Sequence, residues 1–331
     1  MRATLAAQCS RFVENRDIVK NTFKWDSSYM YPVCAAIITD KGMRADPERL
    51  RSCRELLKEH TGVFSNFRST AKLAMIAMMS VDTNPAAKLK HAIEVYDRLK
   101  EYFWGSEYLP VASMVISDMV DPGYYKEMAA HTRHIYEMLK SKHPFLTSAE
   151  DSVFSAMLAV SRKTDERIVA ETEACYSYLK PHFFSGNAVQ SLSHVLALCE
   201  GPAEEKSAAT LNLFNELKAK GYKYGTEYEL ATLGILAMLP VDREVIIQDM
   251  IEVDDYLSAQ KGYGFFGLGR KQRLMHAGMI VTSDYMKDSR AMHNIAAHST
   301  LTLIAAQQAA MCAAIAASAA AAASSASSGG N

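Results

Sequence analysis

The sequence predicts an all-α protein built as an α-solenoid of about six two-helix repeats with a period near 40 residues. Three observations lead to this fold class. One leucine position recurs at an almost constant interval, each repeat pairs an apolar helix pattern with an amphipathic one, and strand-like alternation with hairpin signals is lacking. We expect a helical segment before the first repeat and an alanine-rich capping helix after the last.

The recurring leucine lies near the end of each amphipathic helix pattern, at intervals of 42, 40, 40, 38 and 40 residues. The six copies are Leu57, Leu99, Leu139, Leu179, Leu217 and Leu257. Three positions earlier lie Tyr96, Tyr136, Tyr176 and Phe214, whereas the first copy has Arg54 there and is the weakest. A fixed period of this length is typical of helical hairpins that bury a core shared between neighbours.

Each repeat combines two helices of different character. The earlier one is short and almost wholly apolar, as in residues 72–81, which predicts burial on all sides. The later one, as in residues 87–103, has apolar residues at helical spacing and charges on its other face. Capping residues are expected between the two helices at Asp46, Asn84, Asp121, Thr164, Gly201 and Asp242, often directly before a proline.

We predict one continuous helical-repeat domain over residues 1–290, because no linker interrupts the pattern. Residues 291–323 are predicted to form an alanine-rich helix that packs on the last repeat, and residues 324–331 a disordered tail. Residues 301–323 carry no charge, so a membrane-associated tail or a helix that pairs with another chain are alternatives. Alanine contributes little transfer free energy, which favours the capping helix.

The composition limits the function classes. The 331 residues are 49% hydrophobic with a net charge of −1, which indicates a globular chain without the bulk attraction of a nucleic-acid binder. We therefore expect no nucleic-acid partner, and we do not expect membrane binding. The six cysteines lie far apart, and the first twenty residues lack the apolar stretch of a secretory signal. Both observations favour the cytoplasm.

The joints between repeats carry aromatic residues and glycines, and the joint at residues 261–273 has the pattern G-x-G-x-x-G followed by cations. A dinucleotide fingerprint needs a preceding strand, and an amphipathic helix precedes this one, so a helix C-terminal turn with glycines at positive φ is favoured over anion capture. The candidate binding residues here are Phe265, Phe266, Arg270, Lys271 and Arg273. The aromatic residues of this joint are interpreted as packing under the neighbouring repeat, with a role in gripping an anionic or aromatic partner or a membrane surface as the alternative.

No pattern points to catalytic residues, a metal site or a cofactor. The chain has no nucleophile elbow and no P-loop, and its cysteines form no C-x-x-C and have no histidine pair nearby. Glu127, His131 and His134 share one helical face at a spacing that metal ligands use, but they lie among charged residues and are interpreted as a solvated surface.

Several stretches resemble a family of uncharacterised bacterial proteins, mainly from Firmicutes, known as domain of unknown function number 4003. They are TGVFSNFRS (61–69), GSEYLPVA (105–112), FFSGNAVQSLSHVLAL (183–198), YELATLGILAML (228–239), GYGFFGLGRKQRLM (262–275) and IAAQQAAM (304–311). The resemblance covers almost the whole chain. It implies a bacterial origin and a cytoplasmic, all-helical protein, and it brings no activity or catalytic residues.

Three hypotheses for the function follow. The first is a non-enzymatic scaffold whose stacked helices bind a protein or peptide. The second is an enzyme or small-molecule binder in which Arg270, Lys271 and Arg273 hold an anion. The third is peripheral membrane association through the C-terminal helix. The sequence favours the first and leaves the oligomeric state open.

Overall fold

The chain is helical throughout the residues that the computed structural model describes, which are 1–161, 163–227, 229–264, 267–287 and 297–328. In these ranges it has 15 α-helices and no β-strand, so the all-α prediction is confirmed. The only extended pairing described there is an isolated bridge between Tyr263 and Leu268.

The chain divides into two compact units. Unit 1 contains residues 1–10 and 163–314, and unit 2 contains residues 11–162 and 315–331. The first helix, α1 (Ala3–Thr22), contributes its first turns to unit 1 and the rest to unit 2. The last helix, α15 (Ala297–Ser328), also has residues in both. The prediction of one continuous domain over residues 1–290 stays a prediction.

Unit 2 contains seven helices besides its parts of α1 and α15. They are α2 (Met30–Asp40), α3 (Pro47–His60), α4 (Lys72–Ser80), α5 (Pro85–Lys100), α6 (Leu109–Met119), α7 (Tyr125–Lys142) and α8 (Asp151–Ala159). The even-numbered helices are the short apolar ones; α2 contacts α4, α4 contacts α6, and α6 contacts α8. The amphipathic α3 contacts α5, and α5 contacts α7, so the two kinds of helix form two layers.

Unit 1 repeats this arrangement with six helices of its own. They are α9 (Asp165–Leu179), α10 (Gly186–Leu198), α11 (Ala203–Ala219), α12 (Leu230–Ala237), α13 (Arg243–Ser258) and α14 (Arg270–Lys287). The apolar helices α10, α12 and α14 pack in sequence, and so do the amphipathic α9, α11 and α13. All six recurring leucines of the two units are buried, at positions 57, 99, 139, 179, 217 and 257.

Helix starts follow the capping residues at four of the six predicted positions. The side chains of Asp46, Asn84, Thr164 and Asp242 each accept a hydrogen bond from a backbone N–H in the first turn. Asp121 instead precedes a 3₁₀ turn (Pro122–Tyr124) and makes no side-chain cap bond. At 201–202 the N-cap residue is Pro202, which has no side-chain acceptor, so the predicted cap at Gly201 is wrong.

The N-terminal segment pairs with helices that come last in unit 1. Arg2 lies in an ion pair with Asp249 of α13, Nη2 to Oδ2 2.8 Å, and another with Asp284 of α14, Nη2 to Oδ2 2.9 Å. Both carboxylates are buried, so each needs a cation. A stack in which every repeat contacts only its neighbours does not predict this pairing.

In the alanine-rich helix α15, more than half of the side chains between residues 306 and 323 are buried. Residues Ala306–Ala323 form the one described stretch long and apolar enough to cross a membrane, with mean hydropathy 1.3, and 56% of that stretch is buried inside the protein. A core helix of a globular protein meets the same test, so the stretch is weak evidence for a membrane segment. The helix ends at Ser328, past residue 323, because the alanine and serine run contains no glycine or proline to stop it.

Candidate functional site: the exposed aromatics of the joints

Three joints of unit 2, those after α1, α3 and α5, each have one aromatic residue that packs against the next amphipathic helix. Phe23 lies under the guanidinium of Arg54, with Cζ 5.2 Å from the ring centroid. Further along the chain, the ring centroids of Phe67 and Tyr96 lie 5.1 Å apart, and those of Phe103 and Tyr136 lie 5.3 Å apart. The side chain three residues before the recurring leucine therefore packs against the aromatic ring of the preceding joint. This side chain is a tyrosine in α5 and α7, and it is Arg54 in α3, the weakest copy of the repeat.

These contacts place successive joints at the same end of their hairpins. Arg54, Tyr96 and Tyr136 lie in the last two turns of α3, α5 and α7. Each joint therefore packs against the C-terminal end of the next amphipathic helix, where the following joint begins. Two hydrogen bonds follow the same pattern: Asn66 Nδ2 donates to Tyr96 Oη at 3.0 Å, and Arg133 Nη1 donates to the Tyr102 carbonyl at 2.9 Å.

Each of the four joints that follow α1, α3, α5 and α7 has one aromatic residue that is exposed to solvent. Trp25, Phe64, Trp104 and Phe145 are between 96% and 100% exposed, at intervals of 39, 40 and 41 residues. We call these four residues of unit 2 the aromatic rim. Phe184 occupies the same place in a joint of unit 1 and is 97% exposed, beside Phe183, which is buried against Phe214. The next most exposed large apolar side chain among the described residues is that of Val63, at 73%.

Cationic residues accompany the rim. The last turns of α1, α3, α5 and α7 hold Lys20, Lys58, Lys100 and Lys140, where a positive charge also offsets the negative end of the helix dipole. Lys100 and Lys140 occupy equivalent positions, each with Nζ 5.6 Å from the ring centroid of the tyrosine four residues earlier. The rim therefore combines exposed aromatic rings with ammonium groups.

One joint of unit 2 also borders a cavity of about 260 Å³. Its walls include the aromatic rings of Phe103, Trp104 and Tyr136, and the cations Arg133 and Lys140. The hydroxyl-bearing residues Ser106 and Ser152 complete the polar part of the lining. The cavity is thus apolar and cationic, with the exposed Trp104 on one side.

The glycine-rich joint of unit 1 uses its glycines as the sequence predicts. Gly262 and Gly264 have φ of 94° and 112°, in the region that favours glycine, and the turn follows the end of α13. A Cβ at Gly267 would lie 2.3 Å from the carbonyl oxygen of Gly262, so the loop closes on itself tightly.

The cations predicted to bind a ligand at this joint have different surroundings. Arg273 forms two hydrogen bonds with the buried Asp254, at 2.8 and 2.9 Å, so its charge is already balanced. Arg270 is exposed and lies over Tyr222, with Cζ 5.2 Å from the ring centroid, and Lys271 is exposed. Phe265 and Phe266 lie outside the described residues, and the predicted binding site stays a prediction.

Sequence reasoning located the joints but missed their exposed aromatics. The packing interpretation concerned only the aromatics of the joint at 263–268, and in the other joints the structure shows some aromatic residues packed and others exposed. The near-constant spacing of Trp25, Phe64, Trp104, Phe145 and Phe184 is visible in the sequence and is the signal that could have identified them. Among the described residues no cluster of three His, Cys, Asp or Glu side chains could hold a metal ion.

Comparison with known proteins places the chain in a family. Residues 15–309 match the family described as Protein of unknown function (DUF4003). The chain belongs to this family. The chain is similar to the uncharacterized protein YeaA of Bacillus subtilis (strain 168), with 23% identity over 298 residues that cover 88% of each chain. No solved structure matches the chain described here.

The match to DUF4003 spans the aromatic rim, the cavity and the glycine-rich joint. It begins before Trp25, contains all of α14 and ends within α15. These three features therefore lie within the residues that match the DUF4003 family.

Proposed function

We propose that this chain is a non-enzymatic helical-repeat scaffold that binds a protein or peptide through its aromatic rim. The single observation that carries the proposal is the exposure of Trp25, Phe64, Trp104 and Phe145, one in each successive joint of unit 2. Exposed apolar surface marks interaction sites when it is grouped, and the recurrence of these rings at one place in successive hairpins is what groups them here.

Energetics support a partner at the rim. Covering a fully exposed aromatic side chain stabilises a complex by about 1.5–3 kcal/mol before the costs of association are subtracted. None of the four rim residues contributes to the core, since each is almost wholly in solvent. A partner that covers several of them at once would gain several such contributions, which is how a few aromatic anchors dominate an interface.

The scaffold part of the proposal extends the repeat pattern to a solenoid-like stack. We infer about six two-helix repeats, stacked in chain order within each unit, in which neighbours share a core. The successive packing of α2, α4, α6 and α8, and of α10, α12 and α14, supports this arrangement. The Arg2 ion pairs add a contact outside the neighbour-only pattern.

The chemistry of the cysteines argues against one kind of enzyme, that with a cysteine nucleophile. All six are buried, at positions 9, 34, 53, 175, 199 and 312. Burial raises the pKa of every one of these thiols. A cysteine nucleophile needs the opposite, an accessible thiol with a lowered pKa.

Affinity capture with rim variants tests the proposal. Purified protein is immobilised and exposed to the cytosol of the cells that produce it, in parallel with a combined Trp25→Ser, Phe64→Ser and Phe145→Ser variant. The matched control is Tyr124→Ser, since Tyr124 is 60% exposed but lies in the turn before α7, at the other end of the hairpin.

We expect the original protein and the Tyr124→Ser control to retain the same protein in a stoichiometric amount. The rim variant should retain at least tenfold less of it while keeping its circular dichroism spectrum. Equal capture by all three proteins, or sedimentation of the original protein with phosphatidylserine vesicles in place of any protein capture, would overturn the proposal.

A further inference from the structure

We propose that the cavity beside Trp104 binds a single carboxylate, carried by an acidic side chain of the peptide that covers the aromatic rim. This inference rests on the proposed function and adds the chemistry of the partner. The charge balance of the cavity, its size and its position in the rim support it.

The cationic groups of the cavity leave one positive charge uncompensated. The Arg133 guanidinium is ion-paired with Glu137, donates to the Tyr102 carbonyl, and lies over Phe103 and Tyr136, with Cζ 5.2 and 5.4 Å from the ring centroids. Its position is therefore fixed and its charge balanced. Lys140 lies over the Tyr136 ring and has no carboxylate partner among the described residues.

No carboxylate lines the cavity in the part of the chain that the structure describes. Asp151 is next in the chain to the lining residue Ser152, but it is buried and accepts a hydrogen bond of 2.7 Å from the backbone N–H of Ser148. The ammonium group of Lys140 is thus the one charge that a ligand can neutralise, and a monoanion suits it. A phosphate monoester would bring nearly two negative charges at neutral pH.

The size of the cavity favours a side chain over a whole small molecule. Its volume of about 260 Å³ lies below the range of about 300–1,000 Å³ that is usual for small-molecule sites. The rings of Phe103, Trp104 and Tyr136 offer apolar walls for the methylene groups of a glutamate, and the hydroxyl of Ser106 or Ser152 can donate to its carboxylate.

The position of the cavity connects it to the rim. Trp104 is both a wall of the cavity and one of the four rim residues, between Phe64 and Phe145 in the series of joints. A peptide that covers the rim passes the cavity opening, so one of its acidic side chains can enter while neighbouring residues cover the exposed rings. This continuity commits the proposal to an acidic peptide rather than to a free metabolite.

Tryptophan fluorescence tests the proposal directly, because the chain has two tryptophans, Trp25 and Trp104. Full-length protein with Trp25→Phe reports from the cavity alone, and protein with Trp104→Phe reports from a rim residue that does not line it. The probe is the blocked peptide acetyl-Gly-Glu-Phe-Glu-Gly-amide. The comparison ligands are the same peptide with both glutamates replaced by glutamine, free glutamate and inorganic phosphate.

We expect a saturable change in Trp104 emission with the acidic peptide and at least tenfold weaker binding of the glutamine peptide. Lys140→Glu and Lys140→Met should each weaken binding at least tenfold, and Lys140→Met retains the apolar stem if the charge reversal disturbs folding. The matched control Lys142→Glu, an exposed residue of the same helix that does not line the cavity, should change binding less than twofold.

Equal effects of Lys140→Glu and Lys142→Glu would overturn the proposal, because the surface charge alone would then explain binding. Tighter binding of inorganic phosphate or of free glutamate than of the peptide would show that the anion or its source is wrong. If the peptide fails to bind while rim variants still lose a captured protein, this inference alone fails. If the peptide binds while rim variants lose nothing, the proposed function fails instead.

Discussion

Two buried lysines of unit 1 share one carboxylate. Lys163 Nζ donates to Glu171 Oε2 at 2.9 Å and Lys206 Nζ donates to the same oxygen at 2.8 Å, and both also donate to the carbonyl of Cys199. Burial lowers the pKa of Lys163. Burial alone would raise the pKa of Glu171, but the hydrogen bonds from the two lysines outweigh it and lower that pKa.

Replacing this shared carboxylate, Glu171→Gln, removes the counter-charge of two buried ammonium groups. We expect the free energy of unfolding in urea at pH 7 to fall by about 3 kcal/mol, since breaking a buried pair leaves charge uncompensated. The deficit should shrink as the pH rises toward 10. Glu171 raises the pKa of Lys163, so its loss lowers that pKa further in the folded variant, which sheds the buried charge at lower pH than the original chain and regains stability. The exposed Glu166→Gln on the same helix should cost less than about 0.5 kcal/mol. Equal losses in the two variants would contradict this account.

Among the elements, the joints show how adjacent aromatic residues take different roles. Phe67 is 1% exposed and packs against Tyr96, whereas Phe64, three residues earlier, is wholly exposed. Hydrophobicity does not distinguish the two positions, and an irregular joint has no period that would assign its faces. The difference is set by Tyr96, about thirty residues further along the chain, which receives Phe67.

Alanine substitutions at these two positions separate packing from exposure. Phe67→Ala should lower the free energy of unfolding by about 3–5 kcal/mol, because it leaves a cavity beside Tyr96. Phe64→Ala should change it by less than about 0.5 kcal/mol. The pair in unit 1, Phe183→Ala and Phe184→Ala, provides an independent comparison by the same urea titration. Similar losses at an inward and an outward position would contradict the assignment.

Helix types were predictable from the sequence because burial imposes periodicity on side chains. The apolar run at 72–81 gave the buried helix α4, and the caps Asp46 and Asn84 gave the starts of α3 and α5 within one residue. Asp121 looked the same by composition, yet a 3₁₀ turn follows it before α7 begins. The same Asp-Pro dipeptide thus starts an α-helix at residues 46–47 and a 3₁₀ turn at residues 121–122.

At the scale of the whole molecule, the least predictable feature is the pairing of residue 2 with residues 249 and 284. Periodicity reports contacts between neighbouring repeats and carries no information about an ion pair across 247 residues. Arg2 Nε and Nη2 donate to Asp249 Oδ2 at 3.2 and 2.8 Å, and the Tyr285 hydroxyl donates to the same oxygen at 2.5 Å. The aromatic rim, by contrast, was present in the spacing of the sequence but needed the structure to show which rings are exposed.

The first residues of the chain therefore stabilise unit 1, and Arg2→Met tests this. The variant retains an apolar stem but leaves Asp249 and Asp284, both buried, without their common cation. Burial raises the pKa of Asp284 even with Arg2 present, so the folded chain binds more protons than the unfolded chain above pH 4, and this contribution to stability falls as the pH rises. Removing Arg2 strengthens that trend.

For Arg2→Met we expect the free energy of unfolding to fall by about 2 kcal/mol at pH 8, a loss reduced because Arg2 is partly exposed, and by clearly less at pH 5. Lys20→Met, which removes an exposed cation from the last turn of the helix that Arg2 precedes, should lower both values equally and by less than about 1 kcal/mol. An Arg2→Met protein that unfolds with the same dependence on pH as the original chain would show that these carboxylates do not depend on residue 2.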